Sequence, residues 1–213
     1  MLGKQFFETS RGRIVGLLRR QPLTVENIAS EIGVTTSAIR SLLTAMERDG
    51  LVHRVGTRHR GATRPSHLFE LTPEVQQLLS RAYVPLFGTL LHVMARRQSA
   101  AEINKIMRDT GKALAVQLVP AGRLQTQSLP GRVQAASELL NAELGAVTEV
   151  VRADGELVIQ GAACPLSALT GKHRAVCLAI ESAIKEIVGA PVRECCDRTG
   201  RPRCCFRVVV STT

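Results

Sequence analysis

Three short helical patterns and a pair of strand patterns open the chain. A helical stretch follows, and strand and helix then alternate around a cluster of cysteines. These three observations predict an α+β protein in three parts, residues 1–73, 74–130 and 131–213. A chain of 213 residues has room for one large domain or two small ones, each with a modest core.

In the first part, Thr9 or Ser10 caps a helix from about Arg11 to Arg20, with Ile14, Leu17 and Leu18 on one face. A second helix starts within Leu23–Ala29 and breaks at Gly33. Thr35 or Thr36 caps a third, which reaches Asp49-Gly50 and turns Ile39, Leu42, Leu43 and Met46 inward. Leu51–Val55 and His67–Leu71 read as two strands around a loop. Helix, helix, tight turn, helix and hairpin make a winged helix-turn-helix.

The middle, from about Pro73 to Leu118, carries apolar residues at three- and four-residue spacing and is divided at Pro85 and at Gln98-Ser99. Long amphipathic helices of this kind are expected to join two copies of the chain into a homodimer. Pro120–Gly122 and Ser128–Gly131 read as linker or surface loop. The last part is expected to hold a helix from Val133 to Leu144, strands at Val147–Val151 and Leu157–Ile159, and a helix from His173 to Val188. Strands at Val192–Cys196 and Cys204–Val210 close it.

Charge narrows the function. The chain holds 28 Lys+Arg against 18 Asp+Glu, a formal +10, which favours a polyanionic partner because clustered cations displace counterions from phosphates. With no Trp, one Tyr and five Phe it lacks a platform for stacked, unpaired bases, so double-stranded DNA is the expected partner. A third helix of this fold enters the major groove N-terminus first, which nominates Thr35, Thr36, Ser37, Arg40 and Ser41. Arg40 is placed to grip a guanine edge. Between Asp49 and Glu70 there is no acidic residue, while Arg54, Arg58, Arg60 and Arg64 join His53, His59 and His67. A basic hairpin directly after a recognition helix suits phosphate or the minor groove.

The opening residues lead into polar and basic side chains rather than an apolar core, so neither a signal peptide nor a membrane partner is expected, and the predicted location is the cytoplasm. Thiols there stay reduced, and clustered cysteines read as metal ligands or redox groups rather than structural disulfides. All six cysteines lie between Cys164 and Cys205. Four thiolates suit zinc or an iron–sulfur cluster. Alternation along a strand sends Cys195 and Cys196 to opposite faces, and Cys204 and Cys205 likewise, so one of each pair is expected to ligate. His173, one helical turn before Cys177, is a further, lesser donor.

These residues carry a resemblance. Leu23–Ala29 through Glu47–Val52, followed by Arg64–Thr72, looks like the ArsR/DeoR-type winged-helix regulators. Ala163-Cys164-Pro165-Leu166, His173–Cys177, Gly189–Val192, and Cys196 with Gly200 and Cys204 before Phe206 resemble the C-terminal domain of the SufR group. That resemblance implies a repressor of iron–sulfur assembly genes with an oxygen-labile cluster, taken as 4Fe-4S, on Cys164, Cys177, Cys196 and Cys204. Cys195, Cys205 and His173 remain lesser ligands. The doubled cysteines depart from the simple pattern. The alternative is a winged-helix regulator with structural zinc and a small-molecule effector site. No Gly-rich phosphate loop, paired-carboxylate signature or Cys/His nucleophile site speaks for an enzyme.

Overall fold

The computed structural model describes residues 4–58, 65–119, 128–198 and 200–209. The chain divides into two compact units, Met1–Arg81 and Ala82–Thr213, and helix and sheet are mixed in both, as the sequence predicts.

The first unit runs α1 (Lys4–Glu8), α2 (Ser10–Leu18), β1 (Leu23–Thr24), α3 (Val25–Ile32), α4 (Thr36–Arg48), β2 (Val52–Arg58), β3 (Ser66–Leu71) and α5 (Pro73–Leu79). Thr9, Thr24 and Thr35 each accept a backbone N–H three residues on, so the caps of α2 and α4 are Thr9 and Thr35. Gly33 closes α3 at φ 78°, a left-handed conformation that glycine adopts without Cβ strain. Two elements are absent from the sequence reading. α1 precedes the first amphipathic pattern, and β1 takes the two residues where the second helix was expected to begin. Leu23 pairs with Phe69 and Thr24 with Leu68, so the helix starts only at Val25.

β1, β3 and β2 form an antiparallel sheet in that order. An extra residue, Val55, bulges between Arg54 and Gly56. Ile14, Ile28, Ile39, Leu43, Met46, Val52 and Leu71 form the core, each fully buried aliphatic side chain contributing about 1.5–3 kcal/mol.

The second unit runs α6 (Tyr83–Arg97), α7 (Ala100–Leu118), α8 (Leu129–Leu144), β4 (Thr148–Ala153), β5 (Glu156–Gly161), α9 (Ser167–Thr170), α10 (Val176–Val188), β6 (Val192–Glu194) and β7 (Cys205–Val208). The helical middle is thus shared out: α5 belongs to the first unit, α6 and α7 to the second. Pro85 does not break the helix. It sits in the first turn of α6, where no internal hydrogen bond is lost. Ser128–Gly131 is likewise no loop but the start of α8, with Ser128 as cap and Pro130 in the first turn. α10 begins one turn later than expected, because residues 173–175 form a hydrogen-bonded turn ahead of it.

The sheet order is β4-β5-β7-β6, antiparallel throughout. Ile159, Phe206 and Val208 pack with Val133, Ala136 and Leu140 of α8 and with Ala183, Ile184 and Val188 of α10. α7 lies against the opposite side of α10. Ser182 donates to the Arg108 carbonyl at 2.8 Å, and a Cβ at Gly111 would overlap the Ala179 carbonyl. That glycine sets how closely the two helices approach, and α10 carries Cys177. Among the described residues no single helix is long and apolar enough to cross a membrane.

Gly111→Val is therefore expected to force α7 and α10 apart. The cost should be about 1–3 kcal/mol, read as a lower urea midpoint for the transition of the second unit.

Candidate functional site

In the first unit the exposed residues at the start of α4 are Thr35, Thr36, Ser37, Arg40 and Ser41, while Ile39, Leu43 and Met46 turn inward. Thr35 is committed to its cap through Ala38 N at 3.3 Å. Ser41 donates back to the Ser37 carbonyl at 3.2 Å, which leaves its lone pairs outward. Arg40, with a side chain 67% exposed, lies 3.6 Å from Glu26 at the start of α3. A hydrogen bond from its own backbone N–H holds the Glu26 carboxyl below the usual range against partial burial, helped by Thr24, Ser66 and Arg40.

On the hairpin, Arg54 pairs with Glu47 at 3.0 Å and lies over the Phe69 ring at 5.6 Å. His53 meets Glu70 at 3.2 Å, and Arg58 is exposed at the end of β2. Arg40, Arg54 and Arg58 all line one groove of about 750 Å³ between α4 and the hairpin. Its charge suits a phosphate backbone. The exposed ion pairs there are weak in water, so phosphates can replace the carboxylate partners at small cost. His59, Arg60 and Arg64 lie outside the described residues.

The second unit holds the cysteines. Antiparallel pairing of β6 and β7 places Glu194 opposite Phe206, and a bridge joins Asp197 to Arg203. Continuing that register sets Cys195 opposite Cys205 and Cys196 opposite Cys204. Side chains alternate across such a pair, so the two couples face opposite sides.

Cys195 and Cys205 are joined by a disulfide, their Cα atoms 4.9 Å apart. The expectation that every clustered cysteine is a reduced thiol fails for this couple. Directly opposed positions on an antiparallel pair lie within bridging reach, and neither residue lines the cavity as a ligand.

Cys164, Cys177, Cys196 and Cys204 are free, and all four line one cavity of about 20 Å³ walled by Leu140, Ile180 and Phe206. Each comes from a different element: the turn after β5, the first turn of α10, and the two arms of the hairpin. Cys177 Sγ, Cys196 Sγ and a Glu194 carboxylate oxygen lie within 4.8 Å of one another. Cys205 N donates to Cys196 Sγ at 3.3 Å. Cys196 N donates to Glu194 at 2.8 Å, and Arg198 donates to Glu194 at 2.7 Å.

Contact with the Cys196 thiol, followed by burial, pushes the Cys177 thiol far above its ordinary range. For Cys196 the hydrogen bond from Cys177 pulls downward, but the Cys204 thiol and burial outweigh it, and it is pushed up to about 12. Glu194 stays below the usual carboxylate range despite burial, through Arg198 and Cys196. His173 lies in the turn before α10 and is not among the described residues lining the cavity.

Four convergent thiols in an apolar wall fit a thiolate-bound metal or cluster by donor chemistry. The volume alone is that of a single water-sized body.

Residues 9–54 match the family described as the bacterial regulatory protein, arsR family. The helix-turn-helix of the first unit is thus similar to that of the arsR family of bacterial regulatory proteins. Members of that family regulate transcription and are not enzymes. No curated protein matches the sequence. Among solved structures, one similar chain is a single-substitution mutant of MepR from a multidrug-resistant S. aureus clinical isolate. Identity is 20%, coverage 51% of this chain and 78% of that one, and the TM-score 0.29. Another is a doubly substituted Lactococcus lactis ZitR in apo form, at 16% identity, 55% and 86% coverage and a TM-score of 0.28.

In the first unit, sequence reasoning missed Glu26 and Glu47, the carboxylates that hold Arg40 and Arg54. No periodicity marks such partners; they follow from where α3 and α4 meet the hairpin. It also missed Glu194, whose links to Cys196 and Arg198 depend on the hairpin fold.

Proposed function

We propose that the chain is a homodimeric, DNA-binding transcriptional repressor that senses redox or iron–sulfur status through a cluster, taken as 4Fe-4S, on Cys164, Cys177, Cys196 and Cys204. The observation that carries this reading is the convergence of four free thiols on one apolar cavity while the remaining two cysteines are bonded to each other.

The chain's own residues supply the rest. The Cys205 N–H is aimed at Cys196 sulfur, and Arg198 stands beside Cys177 and Glu194, so donors surround a site that would carry negative charge. When bound, a cluster supplies oxygen- and iron-dependent stability to the loops that hold it. On the first unit, Thr36, Ser37, Arg40 and Ser41 would meet base edges, with Thr35 as cap and contact. Arg54 and Arg58, with Arg60 and Arg64 beyond them in sequence, would meet phosphates of a double-stranded, palindromic operator.

The dimer reading is supported by α6. Leu91 of this helix is buried, with Phe87 and Met94 packed beside it, while Tyr83, Leu86, Leu90 and Val93 leave a second apolar stripe exposed. A second reading, structural zinc with an effector site elsewhere, is favoured by the small cavity: a single ion needs less room than a four-iron cube.

Protein purified without oxygen is expected to be brown, with comparable iron and acid-labile sulfide; colourless protein with stoichiometric zinc would replace the cluster by the zinc reading. Cys164→Ser and Cys177→Ser should each abolish the bound metal and the metal-dependent part of operator affinity. Wild-type operator binding by those variants would remove the sensing role. Arg40→Ala should weaken operator binding by about 1–3 kcal/mol while metal content stays unchanged, measured by fluorescence anisotropy. Replacing Leu86 and Leu90 together by Glu should halve the mass found by sedimentation, with helical content retained.

A further inference from the structure

The register that turns Cys196 and Cys204 inward turns a different set outward. Continuing Arg193↔Arg207 along the same ladder, the outer face of the hairpin carries Arg193, Cys195, Asp197, Arg203, Cys205 and Arg207. Three guanidiniums therefore flank the Cys195–Cys205 disulfide. Arg207 is shared with Asp154 and Glu156 at 3.3 and 3.5 Å, and Arg203 meets Asp197 at 3.4 Å; Arg193 is exposed.

The two bonded cysteines are half-buried, whereas Cys177 and Cys204 are only 5% and 9% exposed. Cys164 and Cys196 are half-buried as well, so a dissolved reagent is kept only from Cys177 and Cys204. The couples are also mechanically joined. Cys195 N donates to the Cys205 carbonyl at 2.8 Å, and Cys205 N donates to Cys196 Sγ. The bond between 195 and 205 thus fixes the main chain on which Cys196 and Cys204 are carried.

We infer that Cys195 and Cys205 form a redox-active dithiol, distinct from the four cavity thiols, that exchanges with small anionic disulfides and sets the cavity's affinity for a thiophilic cation. The exchange balances without a further reagent. One protein thiolate attacks a sulfur of RSSR, releasing RS⁻ and leaving a mixed disulfide. The second attacks the protein sulfur of that mixed disulfide, releasing the other RS⁻ and closing Cys195–Cys205. Two electrons pass to RSSR, which leaves as two thiols once protonated. Arg193, exposed and outside those ion pairs, favours a carboxylate-bearing RSSR by simple attraction. The closed bond holds the inner sulfurs in one arrangement and so lowers the ordering cost of binding a cation; the open dithiol releases the hairpin.

This inference rests on the cavity being a metal site, and the test separates the two. The full chain, in metal-free form, is equilibrated with oxidised and reduced glutathione, alkylated under denaturing conditions and mapped by peptide mass. Cadmium affinity is then measured on the oxidised protein and on protein reduced by a phosphine.

The expected map links Cys195 to Cys205 and finds Cys164, Cys177, Cys196 and Cys204 alkylated. Reduction should lower cadmium affinity several-fold, and the variant carrying both Cys195→Ser and Cys205→Ser should show the lower affinity under either condition. Oxidised glutathione should close the bond faster than cystamine, a cationic disulfide. Links that draw in any cavity cysteine, equal cadmium affinity in both states of wild-type protein, or faster closure by cystamine would each overturn the inference. Cadmium bound in neither state would overturn the metal-site reading with it, whereas equal binding in both would leave that reading standing.

Discussion

The alternation of side chains across the β6–β7 pairing governs the second unit. Two adjacent cysteines on each arm cannot face the same way, and a register that sets residue 194 against 206 makes the couples 195/205 and 196/204 rather than any crossed pairing. A slip of one residue would exchange the inner and outer sets. The register is held by apolar burial, since Phe206 and Val208 must lie against α8 and α10. A polar interaction on the inner side reinforces it: Glu194 accepts from both Cys196 N and Arg198. The core thereby decides which sulfurs can reach Cys177.

The first unit follows a comparable rule with helices. Each threonine cap satisfies an N–H at a helix start and exposes the turn that follows it. At α4 this leaves hydroxyls and Arg40 outward beside a groove where Arg40 and Arg54 are already paired, loosely, with Glu26 and Glu47. Pairing of that kind keeps a basic surface from repelling itself, and it is weak enough in water to yield to phosphates. The competing carboxylates also make the groove selective. A ligand must supply enough negative charge along its length to replace them.

Much of this architecture is legible in the sequence. Period-3.6 patterns mark the inward residues of α4, and capping residues mark its start, because both signals are local. β1 is illegible: two residues form a strand only because Phe69 and Leu68 arrive from more than forty positions away. Ser128-Leu129-Pro130-Gly131 reads as a loop because proline and glycine mark both turns and first helical turns, and only the Ser128 cap separates the two. For the cysteines, alternation predicts that each doublet splits. Which member faces inward does not follow from spacing, because it depends on the register fixed by Phe206. The carboxylates beside Arg40, Arg54 and Arg198 are products of tertiary contact and leave no pattern in the sequence.

The chemistry of the cavity thiols bears on what kind of site this is. Cys177 is held protonated by the Cys196 thiol and by burial, and Cys196 by the Cys204 thiol and burial against the pull of Cys177; neutral thiols pack as small apolar groups. Cys204 counts among the buried core residues, with Cys164 and Cys196 packed against them, so these sulfurs form part of the unit's apolar core. Small zinc modules differ, since their fold is absent until metal binds. Here a cation would enter a folded unit and would have to displace thiol protons to do so. Occupancy would then alter the turn after β5 and the β6–β7 hairpin rather than the whole domain.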